Sequence, residues 1–418
     1  MSTTEAVAGL GILGASRECE RQLPSSIRTL LGIITKRPQI DSIAGGLPFV
    51  TGTEQELEID GYLTSSSRTK NRILQYAPID GVPELSEEFS RFLFETEGLK
   101  IDPDQCTFTN GAQAGLDILA RMLLDEGDVC FVCRPDYLGA LRAFEARGAE
   151  LIAISMDDQG MVVEELADKL LKHNGRAKFV YLVPDFGNPS GLTTSWERRK
   201  RLYELCCNWN IHLIEDCPYR LIQFDGEMIP SLLAMDDRGI VIRLDTTSKI
   251  WGVKRLGMIS SKNRAVICKA DIFVGNTCLC VQAKAQLEYA RALALGQVQE
   301  NIALAREVYQ ARRDAMLQAL AREVGPIEGV SWTKPQGGLF LWLTMPETTR
   351  SGQPVNTDSM LKTALEPPYE VAFVPGADFC CDGTGFNQMR LNYSFPDVDT
   401  INRAVAKLGR LISDTLAS

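Results

Sequence analysis

Histidine is almost missing from this chain, with 2 in 418 residues. Metal centres that combine histidine with cysteine therefore have only His173 and His212 to draw on. Positive charge is also short: 44 Lys and Arg stand against 54 Asp and Glu, a net charge of −10. That balance argues against nucleic acid as a partner, because phosphate binding rests on an excess of basic side chains. No segment reaches the roughly eighteen consecutive apolar residues of a membrane span, so no membrane partner is expected. The N-terminus lacks a basic stretch followed by an apolar core and a cleavage site, so a secretory leader is not expected and the cytoplasm is the expected location. What remains is a globular protein of ordinary composition, 45% hydrophobic and 23% charged, long enough for two domains.

Two patterns that are present lose their force on inspection. There are 12 cysteines, and Cys130-Phe131-Val132-Cys133 has C-x-x-C spacing. That pair lies in an apolar run with no second pair at zinc-ribbon distance, so buried, reduced thiols are the expectation and no metal site is assigned. Gly9-Leu10-Gly11-Ile12-Leu13-Gly14 fits G-x-G-x-x-G. A dinucleotide fingerprint needs a strand before the turn, and too few residues precede Gly9, so an arm at the start of the chain is expected instead.

From about Pro83 onward, helical stretches alternate with short apolar runs: Val129 to Val132, Leu151 to Ile154, Phe179 to Val183, His212 to Ile214 and Ile240 to Leu244. This alternation predicts an α/β fold with a mostly parallel sheet covered on both faces. A helical stretch from Gln282 to about Glu323 leads to a smaller α/β unit. Its expected elements are strands at Gly337 to Leu343 and Arg390 to Ser394, and a closing helix from Val398 to Leu416. The expected domains are 1–50 as an arm and part of the small domain, 51–310 as the large domain, and 311–418 as the small C-terminal domain.

Polar residues gather where those strands end, which is where open α/β sheets bind ligands. A strand at Cys106 to Thr109 runs through Asn110-Gly111 into a helix opening with Ala112 and Gln113, and the free amides of a helix start attract anions. Arg134-Pro135-Asp136-Tyr137, Val183 to Gly191 with Asn188, and Leu213 to Tyr219 with Asp216 follow further strands. Asp245-Thr246-Thr247-Ser248-Lys249 ends another, with Arg255 just beyond, and Met389-Arg390-Leu391-Asn392 comes late in the chain.

In order and spacing these segments resemble the class I/II aminotransferases of pyridoxal-phosphate (PLP) fold type I, nearest to the 2-aminoadipate and kynurenine aminotransferase subgroup. Pro24 to Arg28, Ala44 to Pro48, Leu74-Gln75-Tyr76, Gly337 to Trp342 and Val374-Pro375-Gly376 match as well, so the resemblance spans nearly the whole chain.

The resemblance implies a role for each residue. Lys249 holds PLP as an imine and then becomes the base that moves a proton. Asp216 keeps the pyridine nitrogen protonated. Asn188 and Tyr219 bond the phenolic oxygen, and Tyr137 stacks on the ring. Ala112, Gln113, Thr246, Ser248 and Arg255 bind the phosphate, joined by Tyr76 from a neighbouring subunit, which implies a homodimer with shared sites. Arg390 binds the substrate α-carboxylate through a fork that lysine lacks, Asn188 and Gly46 also bind the substrate, and Arg28 meets the substrate's far end.

The implied reaction is transamination between an amino acid and a 2-oxoacid. Ala112 in place of a hydroxyl residue, Asp245 in place of a frequent glycine, Gly187 in place of a larger polar residue and a short turn from Ile250 to Lys254 depart from the pattern. They keep open a PLP-dependent lyase, decarboxylase or cyclase, because a shorter turn behind Lys249 can re-aim it.

Overall fold

The structure is a computed structural model that describes residues 16–22, 25–49, 59, 61, 63, 67–252 and 254–418, the side chains of 67–69 apart. The expected arm at Gly9 to Gly14 lies outside the described residues, as do Pro24 and Val253.

Among the described residues, eight strands build the main sheet: β1 Cys106–Thr109, β2 Val129–Arg134, β3 Glu150–Asp157, β4 Gly160–Met161, β5 Ala177–Leu182, β6 His212–Asp216, β7 Val241–Thr246 and β8 Gly257–Ser260. Their order across the sheet is β1-β8-β7-β6-β5-β2-β3-β4. The central run from β7 to β3 is parallel, and antiparallel pairing occurs only toward the edges, at β1 with β8, β8 with β7 and β3 with β4. Strands β1, β2, β6 and β7 are buried along almost their whole length. That burial on both faces explains why they read as continuous apolar runs with no clean alternation.

A second, antiparallel sheet has the order β9-β10-β12-β11, from β9 Ser331–Trp332, β10 Phe340–Thr344, β11 Val374–Pro375 and β12 Gln388–Asn392. The N-terminal helix Ser26–Thr35 packs through Leu30 into a small core with Trp342, Val374 and Phe379. Asp41–Ser42 pairs in parallel with Val371–Ala372. The stretch from Ser26 to Ser42 is therefore tied to the C-terminal part of the chain.

The expected helix from Gln282 to Glu323 is in fact two, Ala283–Ala294 and Gln297–Glu323. Gly296 sits between them with φ +75°, a left-handed conformation that glycine adopts without the steric cost of a Cβ. Helical periodicity on both sides hid the break. The closing helix runs Val398–Ala417 and packs along Gln297–Glu323.

Candidate active site

The C-terminal ends of β5, β6 and β7 and the start of the helix Ala112–Leu123 meet the second sheet around a cavity of about 250 Å³. Ala112, Gln113, Tyr137, Asn188, Asp216, Tyr219, Thr246, Ser248, Lys249, Arg255, Gly46 and Arg390 all line it. Two expected residues do not. Tyr76 is 74% exposed and borders a different hollow with Arg72, Pro78 and Leu287. Arg28 lines a neighbouring cavity of about 690 Å³ that shares Ile27, Gln113 and Tyr137 with the first.

One end of the site is built to hold an anion. Gly111 precedes the helix with φ +82° and offers no side-chain cap, so the first amides of the helix remain open to a ligand. A Cβ on Gly111 would stand 2.8 Å from the Arg255 guanidinium, so glycine here lets the arginine close over the turn. Arg255 reaches it from a left-handed conformation, φ +59°, and donates from Nη2 to the Asn110 carbonyl at 3.1 Å. The hydroxyls of Thr246 and Ser248 lie 3.1 Å apart at the same end.

Asp216 ends β6 and is 3% exposed. Its Oδ2 accepts from the Tyr181 hydroxyl at 2.8 Å, while its Oδ1 is buried without a hydrogen-bond partner among the described residues. Burial pushes the carboxyl up to about 7; the Tyr181 hydrogen bond opposes this and the charge of Asp245 adds to it. Tyr181 carries no motif. Its only signal in the sequence is a hydroxyl inside an apolar strand, two residues before the loop that bears Asn188.

Lys249 closes a short 3-10 turn, Thr247–Lys249, and its Nζ donates to the Gly46 carbonyl at 2.8 Å. The amine lies at the cavity wall. Burial lowers Lys249 to about 8, and the charges of Arg390 and Arg255 lower it further in the same sense. Near neutral pH a useful fraction of the amine is thus unprotonated.

Arg390, on β12, is 2% exposed and is lowered to about 10 by burial. Its Nη1 donates to Asn188 Oδ1 and its Nη2 to the Ala44 carbonyl, both at 2.9 Å, and its Nε is buried with no partner among the described residues. Aromatic rings hold the guanidinium: it lies 4.2 Å from the Phe340 ring centre and 5.2 Å from that of Phe379. Phe340 also meets Tyr219 edge-on at 5.7 Å. Neither phenylalanine stood out as a site residue in the sequence, since a single ring in an apolar strand looks like core. On the opposite wall the Tyr137 hydroxyl donates to Gln113 Oε1 at 3.0 Å.

The family model for aminotransferases of class I and II matches residues 50–408. The chain belongs to this family. An aromatic-amino-acid aminotransferase 1 of Thermococcus litoralis is 34% identical over 94% of this chain and 92% of that protein. A 2-aminoadipate transaminase of Thermus thermophilus is 31% identical over 94% of this chain and 95% of its own length. Among solved structures, the Pyrococcus horikoshii kynurenine aminotransferase superposes with a TM-score of 0.90 at 33% identity, covering 99% of this chain and 100% of that one. The aminotransferase is a PLP-dependent enzyme of fold type I, and these relatives favour transamination over the lyase, decarboxylase or cyclase alternative.

Proposed function

We propose that this aminotransferase moves amino groups between 2-oxoacids and amino acids with long acidic or aromatic side chains, using Lys249 as the residue that bonds the cofactor and moves the proton. The observation that carries the reading is the convergence of three groups on one cavity. These are a lysine amine lowered to about 8, a buried carboxylate oxygen without a donor among the described residues, and a buried arginine whose Nε has no acceptor among them.

The residues present suit PLP. Asp216 Oδ1 is an acceptor waiting for a ring N–H, Tyr137 offers a flat wall, and the open helix start with Arg255, Thr246 and Ser248 suits a phosphate. Asn188 and Tyr219 are buried polar groups beside the ring's expected position. When bound, PLP supplies an electron sink for the bond that breaks at the substrate α-carbon. Asp216, ionised beside a bound ring nitrogen, would favour its protonated form. Lys249 Nζ, lowered to about 8 by burial, would hold the cofactor and, once free, would move the proton at the substrate α-carbon. Arg390 holds the α-carboxylate, with Asn188 fixing the guanidinium and Gly46 closing the near side.

Support for long substrates comes from the larger cavity beyond Gln113 and Tyr137, where Arg28 and Arg142 stand. The named activities of the relatives, on aromatic amino acids, 2-aminoadipate and kynurenine, agree with that room. The chain divides in this reading into an arm and part of the small domain to residue 50, a large domain over 51–310 and a small one over 311–418. It works as a cytoplasmic homodimer in which Tyr76 reaches the partner's phosphate site. The exposure of Leu74, Tyr76 and Ile79 on one short stretch supports that contact. No helix of the described residues is long and apolar enough to cross a membrane.

The test is a panel of amino acids incubated with 2-oxoglutarate and with no oxoacid. Oxoacid-dependent formation of glutamate is expected, strongest for 2-aminoadipate, kynurenine and aromatic amino acids. Ammonia or carbon dioxide release without an oxoacid, or a preference for alanine and serine, would refute the proposal. Lys249→Ala is expected to keep the fold and lose both turnover and the visible absorbance of the bound cofactor.

A further inference from the structure

Seven ionisable side chains form a buried chain behind the site. Asp245 accepts two hydrogen bonds from Arg243, Nε to Oδ2 and Nη2 to Oδ1, both at 2.8 Å. Arg243 also donates to both oxygens of Glu97 at 2.8 Å. Arg220 links Glu97, at 2.5 Å from its Nε, to Asp185, at 2.8 Å from its Nη1. Arg199 donates to the other oxygen of Asp185 at 2.5 Å and stands 4.0 Å from Glu215. The Glu97 side chain is fully buried, and the other six residues are buried too.

Charges alternate along this chain and an acid stands at each end. Four carboxylates face three guanidiniums, so the ionised chain holds one negative charge in excess. Both acidic ends come beside Asp216. Glu215 directly precedes it on β6, and Asp245 follows Leu244, the register partner of Asp216 on β7. Glu215 and Arg243 are register partners, so they share a face with Asp245, two residues past Arg243. Asp216 points to the other face, where it meets Tyr181.

Asp245 is not needed to neutralise Arg243, which already holds a two-point contact with Glu97. Burying one more carboxylate carries a desolvation cost that packing alone does not require. We propose that Asp245 is a positioning residue for the reaction: from behind the sheet, its charge keeps the cofactor bound at Asp216 and Lys249 protonated to a higher pH than the site would otherwise allow. This rests on the reading that Lys249 and Asp216 hold PLP.

Other charged and titratable groups border the two carboxylates. Around Asp216 they are Tyr181 from β5, Asp136 beyond β2, and Tyr137 and Tyr219 from the cavity wall. Around Asp245 they are Arg243, Glu97 and Glu215, with Tyr289 from the helix Ala283–Ala294, Cys106 from β1 and Cys217 just past β6. Burial raises the Asp245 carboxyl above its ordinary value, and the two-point contact with Arg243 opposes this by favouring the charged form; around Lys249 the charged groups are Arg390 and Arg255. The charge of Asp245 is in turn one of the influences that raise Asp216.

The experiment is a pH titration of the visible absorbance of the PLP-loaded enzyme, from roughly pH 5 to 10, for wild type, Asp245→Asn and Asp245→Glu. Asp245→Asn removes the charge and leaves Arg243 its contact with Glu97, so its absorbance pKa is expected to fall on the order of one pH unit. Asp245→Glu keeps the charge and is expected to titrate like wild type. An unchanged pKa in Asp245→Asn, or an equal fall in Asp245→Glu, overturns the proposal. Should Asp245→Asn fail to fold, Asp245→Ser makes the same change of charge and carries the same expectation. A wild type whose bound cofactor shows no visible imine band would instead overturn the Lys249 reading itself.

Discussion

Replacing Arg390 with lysine separates charge from geometry at the carboxylate site. The guanidinium already spends Nη1 on Asn188 Oδ1 and Nη2 on the Ala44 carbonyl, each at 2.9 Å, and its Nε faces inward with no partner among the described residues. The rings of Phe340 and Phe379 pack against it, 4.2 and 5.2 Å away at their centres. A carboxylate arriving here meets a fork held in position before binding. Lysine keeps the positive charge but offers one nitrogen, so one charge-assisted hydrogen bond is lost, about 1.5–3 kcal/mol. In kcat/KM that is roughly tenfold to a hundred-and-fifty-fold. Every amino acid and 2-oxoacid carries the α-carboxylate, so the loss is expected to be uniform across substrates of different side chains. The assay is steady-state kcat/KM for an acidic, an aromatic and an aliphatic amino acid, alongside the cofactor absorbance, which is expected to stay unchanged. Wild-type kcat/KM in Arg390→Lys, or a loss confined to substrates with acidic side chains, would refute the role assigned to Arg390.

Three further outcomes are expected. Because burial lowers Lys249 from 10.5 to about 8, the neutral amine that attacks the cofactor's aldehyde accumulates as pH rises through about 8; the rate of PLP uptake by the apoenzyme should climb and level off near there, and a climb that continues toward 10.5 would contradict the lowered value. Arg28→Ala should weaken acidic or polar-tailed substrates selectively, by up to about a hundredfold, while aliphatic substrates change little; a uniform loss or none removes Arg28 from the site. Mixing an inactive Tyr76 variant with Lys249→Ala should restore activity through hybrid dimers, with roughly a quarter of sites intact after random exchange; no recovery despite proven subunit exchange counts against shared sites.

Much of the site was legible because the chemistry sits at strand ends, and strand ends are marked locally. The apolar run Leu213-Ile214 stopping at Glu215-Asp216, and Cys106 to Thr109 running into Gly111 and a helix, needed no knowledge of distant contacts. Both appear in the structure with nearly those bounds. Strand limits shifted by one to a few residues elsewhere, as with Gly337 to Leu343, found as Phe340–Thr344. Backbone pairing with a partner strand sets such limits, and that partner is not written into the local sequence. The helix break at Gly296 was hidden because glycine inside a periodic stretch marks either a tolerated helix residue or a cap, and only φ distinguishes them.

What the sequence determined by itself is the order of cofactor-type residues along an alternating α/β chain, together with the charge and the apolar runs that set its class. Tertiary structure alone decided which side chains without a motif support them. Tyr181 reaches Asp216 across 35 positions, Phe340 and Phe379 enclose Arg390, and Glu97 joins Arg243 across 146. Each of these contacts depends on strand register and helix packing. A tyrosine, a phenylalanine or a glutamate acquires its role only when folding brings a distant charge within reach and removes the water between them.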